Sequence, residues 1–139
     1  MKKILIVLIT LLLSACQSES LYETKIKDAR HMNESIRFEE STFEVIQVSA
    51  NLLGYSVYPN EDLIYVFFEY SGELSFTSND IKVMLENGEI IDAYMVDGLD
   101  YLTGPAQASN PYVRFSLPQD TNEMLLVIKS EVYIHLVWE

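Results

Sequence analysis

The segment LIYVFFEY, residues 63–70, decides the fold of this chain. Successive side chains of an extended strand point to opposite faces. Here the first three odd-numbered positions are leucine, tyrosine and phenylalanine. The four even-numbered positions are isoleucine, valine, phenylalanine and tyrosine. A strand that is apolar on both faces is typical of a sheet covered on both sides. We therefore predict that residues 63–70 form a central strand.

Apolar residues alternate with polar ones in several other segments between residues 36 and 138. A period of two, with many β-branched and aromatic residues, predicts half-buried strands. We predict about seven strands in an all-β domain, and antiparallel sheets, because no long helical pattern separates the strands. Short strands at this spacing are typical of a sandwich or a small barrel. The other candidate segments are residues 36–39, 43–50, 81–86, 90–96, 113–117, 124–129 and 132–138.

The dipeptide Asn-Gly at residues 87–88 predicts a tight turn between two of these strands. Both residue types tolerate a positive φ, as the two central positions of a type I′ hairpin turn require. Such a turn would place Leu85 opposite Ile90 and Glu86 opposite Glu89.

The first fifteen residues have the pattern of an export signal. Two lysines at residues 2–3 precede an apolar run at residues 4–13. As a helix this run would span about 15 Å, half of the roughly 30 Å hydrocarbon core, which disfavours a permanent transmembrane helix. The tetrapeptide LSAC at residues 13–16 resembles the lipobox of bacterial lipoproteins. The resemblance implies that residues 1–15 are a signal peptide and that Cys16 carries lipid.

Cys16 is the only cysteine in the chain. A lone thiol is a reactive liability in an exported protein, and lipidation removes it. Two or three acyl chains hold a protein stably on a membrane. We therefore expect anchoring to the bacterial cell membrane or the outer membrane, on the extracytoplasmic side. The alternative is an ordinary secreted protein that is cut after Ala15 and keeps a free thiol.

Residues 16–35 are mostly polar and predict a lipidated spacer in front of the domain. A spacer of about twenty flexible residues would reach roughly 25 Å. The spacing of Leu21, Tyr22, Ile26 and Ala29 is also compatible with a short helix in this stretch.

The chain has 21 acidic and nine basic residues, a formal charge of −12, and removal of the two N-terminal lysines would make it −14. Nucleic-acid binding needs clustered Lys and Arg, so we expect no nucleic-acid partner. An acidic surface attracts basic proteins, and we expect a cationic protein partner. The alternative is that the charge serves only to keep the domain soluble.

Residues 36–139 resemble the immunoglobulin-like, telokin-like domains of many small bacterial lipoproteins. The likeness lies in the order of the elements more than in identity. It implies an immunoglobulin-like sandwich that serves as an interaction or accessory domain, without shared catalytic residues. The segments that carry it are FEVI (43–46), IYVFF (64–68), LSF (74–76) and VRFSLP (113–118).

The sequence contains no recognisable catalytic or cofactor site. The only histidines, His31 and His135, lack metal-ligating neighbours at useful spacing, and no serine lies in a Gly-x-Ser-x-Gly turn. Calcium is the best metal hypothesis, at Asp92, Asp97 and Asp100, but the Asp-x-Asp-x-Asp loop pattern is absent. We predict a protein that is not an enzyme and holds no metal or cofactor.

Four tyrosines lie in or beside predicted connections, namely Tyr55, Tyr58, Tyr94 and Tyr101. Exposed aromatic side chains are common contact residues in protein interfaces, so these four are candidate partner contacts. The alternative is that they are half-buried caps at the ends of the sandwich.

Location, acidity and the absence of a catalytic pattern favour a membrane-anchored, non-enzymatic module that binds a protein. The alternative is an inhibitor or immunity lipoprotein that neutralises a basic hydrolase or toxin at the cell envelope, since small size, acidity and tethering suit both.

Overall fold

The computed structural model describes residues 19–52, 54, 58–72, 76–94 and 111–139. The predicted signal peptide and Cys16 lie outside these residues. The described chain contains one α-helix, nine strands and a 3-10 turn at Ser78–Asp80. The elements are α1 (Leu21–Ile26), β1 (Arg30–His31), β2 (Ile36–Phe38), β3 (Ser41–Ala50), β4 (Glu61–Ser71), β5 (Ile81–Met84), β6 (Ile90–Asp92), β7 (Tyr112–Pro118), β8 (Glu123–Ile128) and β9 (Val132–Val137).

The strands form two sheets, with orders β1-β9-β8-β5-β6 and β2-β3-β4-β7. The predicted all-β sandwich is confirmed, although the described residues contain nine strands rather than about seven. The described strand pairs are antiparallel, as predicted, except that β1 pairs with β9 in parallel, with Arg30 beside Ile134 and His31 beside His135. This pair is possible because the chain before β1 crosses the outer face of the sheet as α1, so that β1 enters along the direction of β9.

Strand β4 lies between β3 and β7, which confirms the predicted central strand. Ile64, Val66 and Phe68 are at most 1% exposed and belong to the core between the sheets. On the opposite face, Leu63 and Tyr65 are each only 3% exposed. The two faces of β4 are therefore buried at these positions, as the apolar pattern of residues 63–70 predicts.

The hairpin between β5 and β6 has a different register from the predicted one. Met84, not Leu85, lies opposite Ile90, and the amide of Leu85 donates to the carbonyl of Glu89 over 2.9 Å. The type I′ prediction was wrong because only Gly88 takes a positive φ, of 87°, while the side chain of Asn87 accepts a hydrogen bond from the amide of Glu89. The turn is one residue longer, so Leu85 becomes buried and Ile90 is exposed.

Residues 20–31 pack on the domain instead of forming the flexible spacer that we expected there. Ser20 and Glu23 form a reciprocal capping box that starts α1. Tyr22 is 3% exposed and belongs to a second apolar cluster on the outer face of the five-stranded sheet. The short helix that the spacing allowed is therefore present, and it is held by burial of its apolar side chains. The other members of the cluster are Ala29, Met84, Leu125 and Val127.

Candidate partner-binding surface

Several chain segments meet at one end of the sandwich. Glu61 of β4 is paired with Pro118 of β7, and the amide of Gln119 donates to the carbonyl of Asn60 over 2.9 Å. Residues 119–122 then cross to the other sheet, where Glu123 starts β8 beside the end of β9. The hairpin between β5 and β6 and the end of β3 lie at this same end, because their strands are paired with β8 and β4. We call residues 51–52, 58–62, 85–90, 118–123 and 137–139 the acidic end.

The acidic end contains seven carboxylates and no lysine or arginine. Glu86, Glu89 and Asp120 are exposed in its turns. Because like charges in one region add to each other's field, this end attracts cations more strongly than the average surface does. The other four carboxylates are Glu61, Asp62, Glu123 and Glu139.

Large apolar side chains are exposed at the same end. Of the described residues, five large hydrophobic ones are classed as exposed, with 49–57% of their surface accessible. Four of them belong to the acidic end, and the fifth, Leu21, precedes Tyr22, whose hydroxyl reaches Glu123. Exposed apolar side chains at one end of the domain offer apolar area that another molecule can cover on binding. The four are Leu52, Tyr58, Ile90 and Val137.

Two of the four predicted contact tyrosines lie together. Tyr58 is 51% exposed, and its ring meets that of Tyr94 edge to face, with centroids 6.4 Å apart. Tyr94 is half-buried, and the guanidinium of Arg114 lies 5.7 Å from its ring centroid. The amide of Tyr94 also donates to the carbonyl of Arg114 over 2.6 Å. Tyr58 is thus an exposed aromatic residue whose ring packs against Tyr94, and Tyr94 is in turn held by its contacts with Arg114. Tyr55 and Tyr101 lie outside the described residues.

Hydrogen bonds hold part of the acidic end in place. The side-chain amide of Asn51 donates to Asp62 over 2.7 Å, and its oxygen accepts from the amide of Leu63. The hydroxyl of Ser116 donates to Glu61. Asn51 takes a positive φ of 46°, a conformation that asparagine tolerates better than most residues. An asparagine at the end of a predicted strand is the sequence signal that could have located this turn.

A polar group links α1 to the acidic end. Oε1 of Glu123 accepts a hydrogen bond from the hydroxyl of Tyr22 over 3.2 Å and lies 2.8 Å from Nε2 of His135. Burial, followed by the nearby charge of Glu123, raises the pKa of Tyr22 above its usual value. The rings of His31 and His135 are 6.1 Å apart. Sequence reasoning missed this group, because the parallel pairing of β1 and β9 brings distant residues together.

Basic side chains are found mainly elsewhere. Lys25, Arg30 and Arg37 line a cleft of about 430 Å³ that lies between α1, β2 and the turn from β8 to β9. Two of these charges have close partners: Nζ of Lys25 lies 4.7 Å from the ring centroid of Tyr133, and Arg30 pairs with Glu34. Among the described residues, no lysine or arginine belongs to the acidic end, although the ammonium of Lys27 lies 2.5 Å from Glu19, next to the start of α1.

Asp92 forms an exposed ion pair of 2.6 Å with Lys82. The other two residues of the calcium hypothesis, Asp97 and Asp100, lie outside the described residues. Within the described ranges, no group of three or more His, Cys, Asp or Glu side chains could hold a metal ion.

No helix among the described residues is long and apolar enough to span a membrane. Comparisons with protein-family models, curated proteins and solved structures found no match to this chain.

Proposed function

We propose that this protein is a lipid-anchored, extracytoplasmic module that binds a cationic protein through its acidic end and catalyses no reaction. The observation that carries the proposal is the meeting, at one end of the sandwich, of seven carboxylates, no basic residue and four exposed large hydrophobic side chains. The lipobox-like tetrapeptide at residues 13–16 supports the anchor on Cys16.

The chemistry of the acidic end suits a basic partner. Carboxylates in exposed turns accelerate the encounter with a cationic surface, and salt weakens this attraction. Tyr58 adds an aromatic contact that Tyr94 already orders, so that less side-chain entropy is lost on binding. The exposed apolar side chains of the acidic end also provide apolar contact area, which a purely electrostatic contact lacks.

A charge-reversal experiment tests the site. Envelope proteins are first captured with the lipidated protein in detergent, and the affinity for the captured partner is then measured by titration at about 50 mM and about 500 mM NaCl. In the triple variant Glu86→Lys, Glu89→Lys and Asp120→Lys, we expect the affinity for the captured partner to fall at least about tenfold.

The matched control reverses three exposed carboxylates outside the acidic end, through Glu39→Lys, Glu40→Lys and Glu131→Lys. It changes the net charge by the same amount, and we expect it to bind within about twofold of wild type at the higher salt. Equal losses in the two variants would mean that only the overall charge matters, which would contradict the proposed site.

The aromatic contribution is tested separately. Tyr58→Ala is expected to weaken binding about tenfold at both salt concentrations, because tyrosine is enriched among the interface residues whose truncation costs more than about 1 kcal/mol. Tyr133→Ala is the control, since Tyr133 lies beside Lys25 and away from the acidic end. An unchanged affinity in Tyr58→Ala would remove this residue from the proposed surface.

The anchor has its own test. Metabolic labelling with a fatty acid should label the wild-type protein and not Cys16→Ser. Label on Cys16→Ser would show that the lipid is attached elsewhere.

If the captured partner is a basic hydrolase or toxin, loss of its activity at a one-to-one ratio would favour the inhibitor or immunity function over a purely accessory one.

A further inference from the structure

We propose that the partner is a membrane polypeptide with a basic segment at the lipid surface, because the acidic end is held facing the membrane. This inference rests on the proposed function, that is, on the lipid at Cys16 and on cation binding by the acidic end. It adds where the partner must be and which class of polypeptide it is.

The first step is the shortness of the tether. Ser20 caps α1, and the hydroxyl of Tyr22 is bound to Glu123 of the acidic end. Only three chain steps separate Cys16 from Glu19. At 3.8 Å between successive Cα atoms, these steps span at most about 11 Å. The docked helix therefore keeps the start of the domain close to the lipid, whatever the conformation of residues 17–18.

The second step is the position at which the tether reaches the sandwich. α1 begins at the acidic end, beside Glu123, whereas the turns at residues 39–40 and 129–131 lie at the other ends of the strands. The eleven residues of β4 span roughly 35 Å at about 3.3 Å per residue. Because the tether is much shorter than the sandwich, the acidic end stays nearer to the membrane than the opposite turns do.

The third step is the choice between lipid and polypeptide. The exposed Leu21, Leu52 and Ile90 could in principle enter the lipid. Anionic headgroups, however, repel the seven carboxylates around them. Lysines and arginines that flank a transmembrane helix are attracted both to anionic lipid and to the acidic end. Charge complementarity at the membrane surface therefore favours a basic juxtamembrane segment.

Docking of α1 also controls the reach of the anchor. If α1 and β1 left the sheet, the tether would extend to Ile36, about twenty residues with a contour length of roughly 65 Å. The acidic end would then lose its fixed position near the membrane. The apolar cluster around Tyr22 thus keeps the binding surface at the height of a juxtamembrane segment.

An energy-transfer experiment tests the orientation. The full chain, lipidated at Cys16 in vesicles, is labelled at a second cysteine, either Asn87→Cys in the acidic end or Glu40→Cys at the opposite end. With an acceptor dye on the lipid headgroups, we expect at least twice the transfer efficiency from position 87. Equal efficiencies at the two positions would overturn the inference.

A binding experiment tests the class of partner. One probe is a transmembrane Leu-Ala peptide flanked by lysines, placed in neutral phosphatidylcholine vesicles that also carry the lipidated protein. The other is the same lysine sequence as a soluble peptide at an equal total concentration. We expect the membrane-embedded probe to bind with an apparent Kd at least about tenfold lower, because both molecules share one surface.

The outcomes separate the two proposals. If the probes bind equally well, the inference about the membrane falls while the proposed function stands. If neither probe binds, the proposed function falls as well. A third measurement places an environment-sensitive dye at Leu52→Cys in neutral vesicles without peptide. A shift of its emission to shorter wavelength would show direct insertion into lipid and would overturn the choice of a polypeptide partner.

The variant Tyr22→Ala tests the role of the docked helix. It should reduce the difference in apparent Kd between the embedded and the soluble probe, and an unchanged difference would contradict that role.

Discussion

Gly72 follows β4 with a positive φ of 85°, and a Cβ atom built on it would lie 2.5 Å from the carbonyl oxygen of Glu40. Gly88 also has a positive φ, of 87°, but a Cβ there would meet no atom within 4 Å. Gly88→Ala should therefore cost only the left-handed strain, about 1–2 kcal/mol. Gly72→Ala adds a clash with backbone and should cost at least about 1 kcal/mol more. Urea unfolding of both variants measures the difference, and equal costs would contradict the close approach at Gly72.

Tyr22 should make stability depend on alkaline pH. Burial and the carboxylate of Glu123 raise its pKa, so the folded state holds the phenolic proton more tightly than the unfolded state does. The resulting stabilisation is complete below the ordinary tyrosine pKa of about 10 and is lost as the pH rises above it. The free energy of unfolding should thus fall less steeply between about pH 9 and pH 11 in Tyr22→Phe than in wild type.

The matched control for this pH dependence is Leu21→Ala, which changes the exposed neighbour of Tyr22 and leaves the phenol in place. It should keep the wild-type slope. At neutral pH, Tyr22→Phe should cost about 0.5–1.5 kcal/mol for the lost hydrogen bond to Glu123. Identical slopes in wild type and Tyr22→Phe would show that the pKa of Tyr22 is not raised in the folded state.

At the level of elements, the β5–β6 hairpin gives a test of register. Leu85 is 6% exposed and packs in the core, whereas Ile90 is 49% exposed. Leu85→Ala should therefore destabilise the protein by about 2–4 kcal/mol. Ile90→Ala should change its stability by no more than about 0.5 kcal/mol. The originally predicted type I′ register would pair these residues and give them similar burial, so similar costs in chemical denaturation would favour that register instead.

Helix α1 gives a second test at this level. Tyr22 is 3% exposed and anchors the helix, while its neighbour Leu21 is 57% exposed. Loss of the buried ring should favour local detachment of the helix. Trypsin should then cut after Lys25 and Lys27 at least about tenfold faster in Tyr22→Ala than in wild type, and Leu21→Ala should keep the wild-type rate. Equal cleavage rates in the two variants would mean that Tyr22 does not hold the helix.

For the whole molecule, charge is distributed unevenly along the chain. Residues 19–37 contain four acidic and four basic residues, whereas residues 38–139 contain 17 acidic and three basic ones. Repulsion among these carboxylates opposes the compact state, and salt screens it. Raising NaCl from about 20 mM to about 300 mM should stabilise the protein by about 1 kcal/mol and raise Tm by about 4 °C.

The triple lysine variant of the acidic end provides the comparison for this salt effect. Because it removes repulsion where carboxylates are most concentrated, its Tm should rise less with salt than that of the Glu39, Glu40 and Glu131 variant. An equal rise in both would mean that the acidic end contributes no more repulsion than the rest of the surface.

Local pattern was sufficient for part of this fold. The period of two and the apolar faces of residues 63–70 placed a strand that is indeed central. The candidate segments from residue 36 onward coincide with β2 to β9 within a few residues. These features could be predicted because alternation depends on neighbouring residues and reflects burial of one face or two.

Other features depend on contacts between distant residues. The type of turn after Leu85 could not be assigned from Asn-Gly alone. Leu85 is buried in the core, and the turn that accompanies this burial is one residue longer than the predicted type I′ turn. Likewise, no spacing in the sequence places Tyr58 against Tyr94 or His31 against His135. Such contacts arise only when the pairing of strands is settled.

The sequence by itself determined the strand pattern, the acidity and the lipobox resemblance at Cys16, because each is carried by adjacent or periodically spaced residues. The tertiary structure alone decided that α1 packs on the sheet and that scattered carboxylates and apolar side chains meet at one end. The physical reason is that burial of Tyr22 and pairing of β4, β7, β8 and β9 bring together residues up to about a hundred positions apart, as in the hydrogen bond between Tyr22 and Glu123.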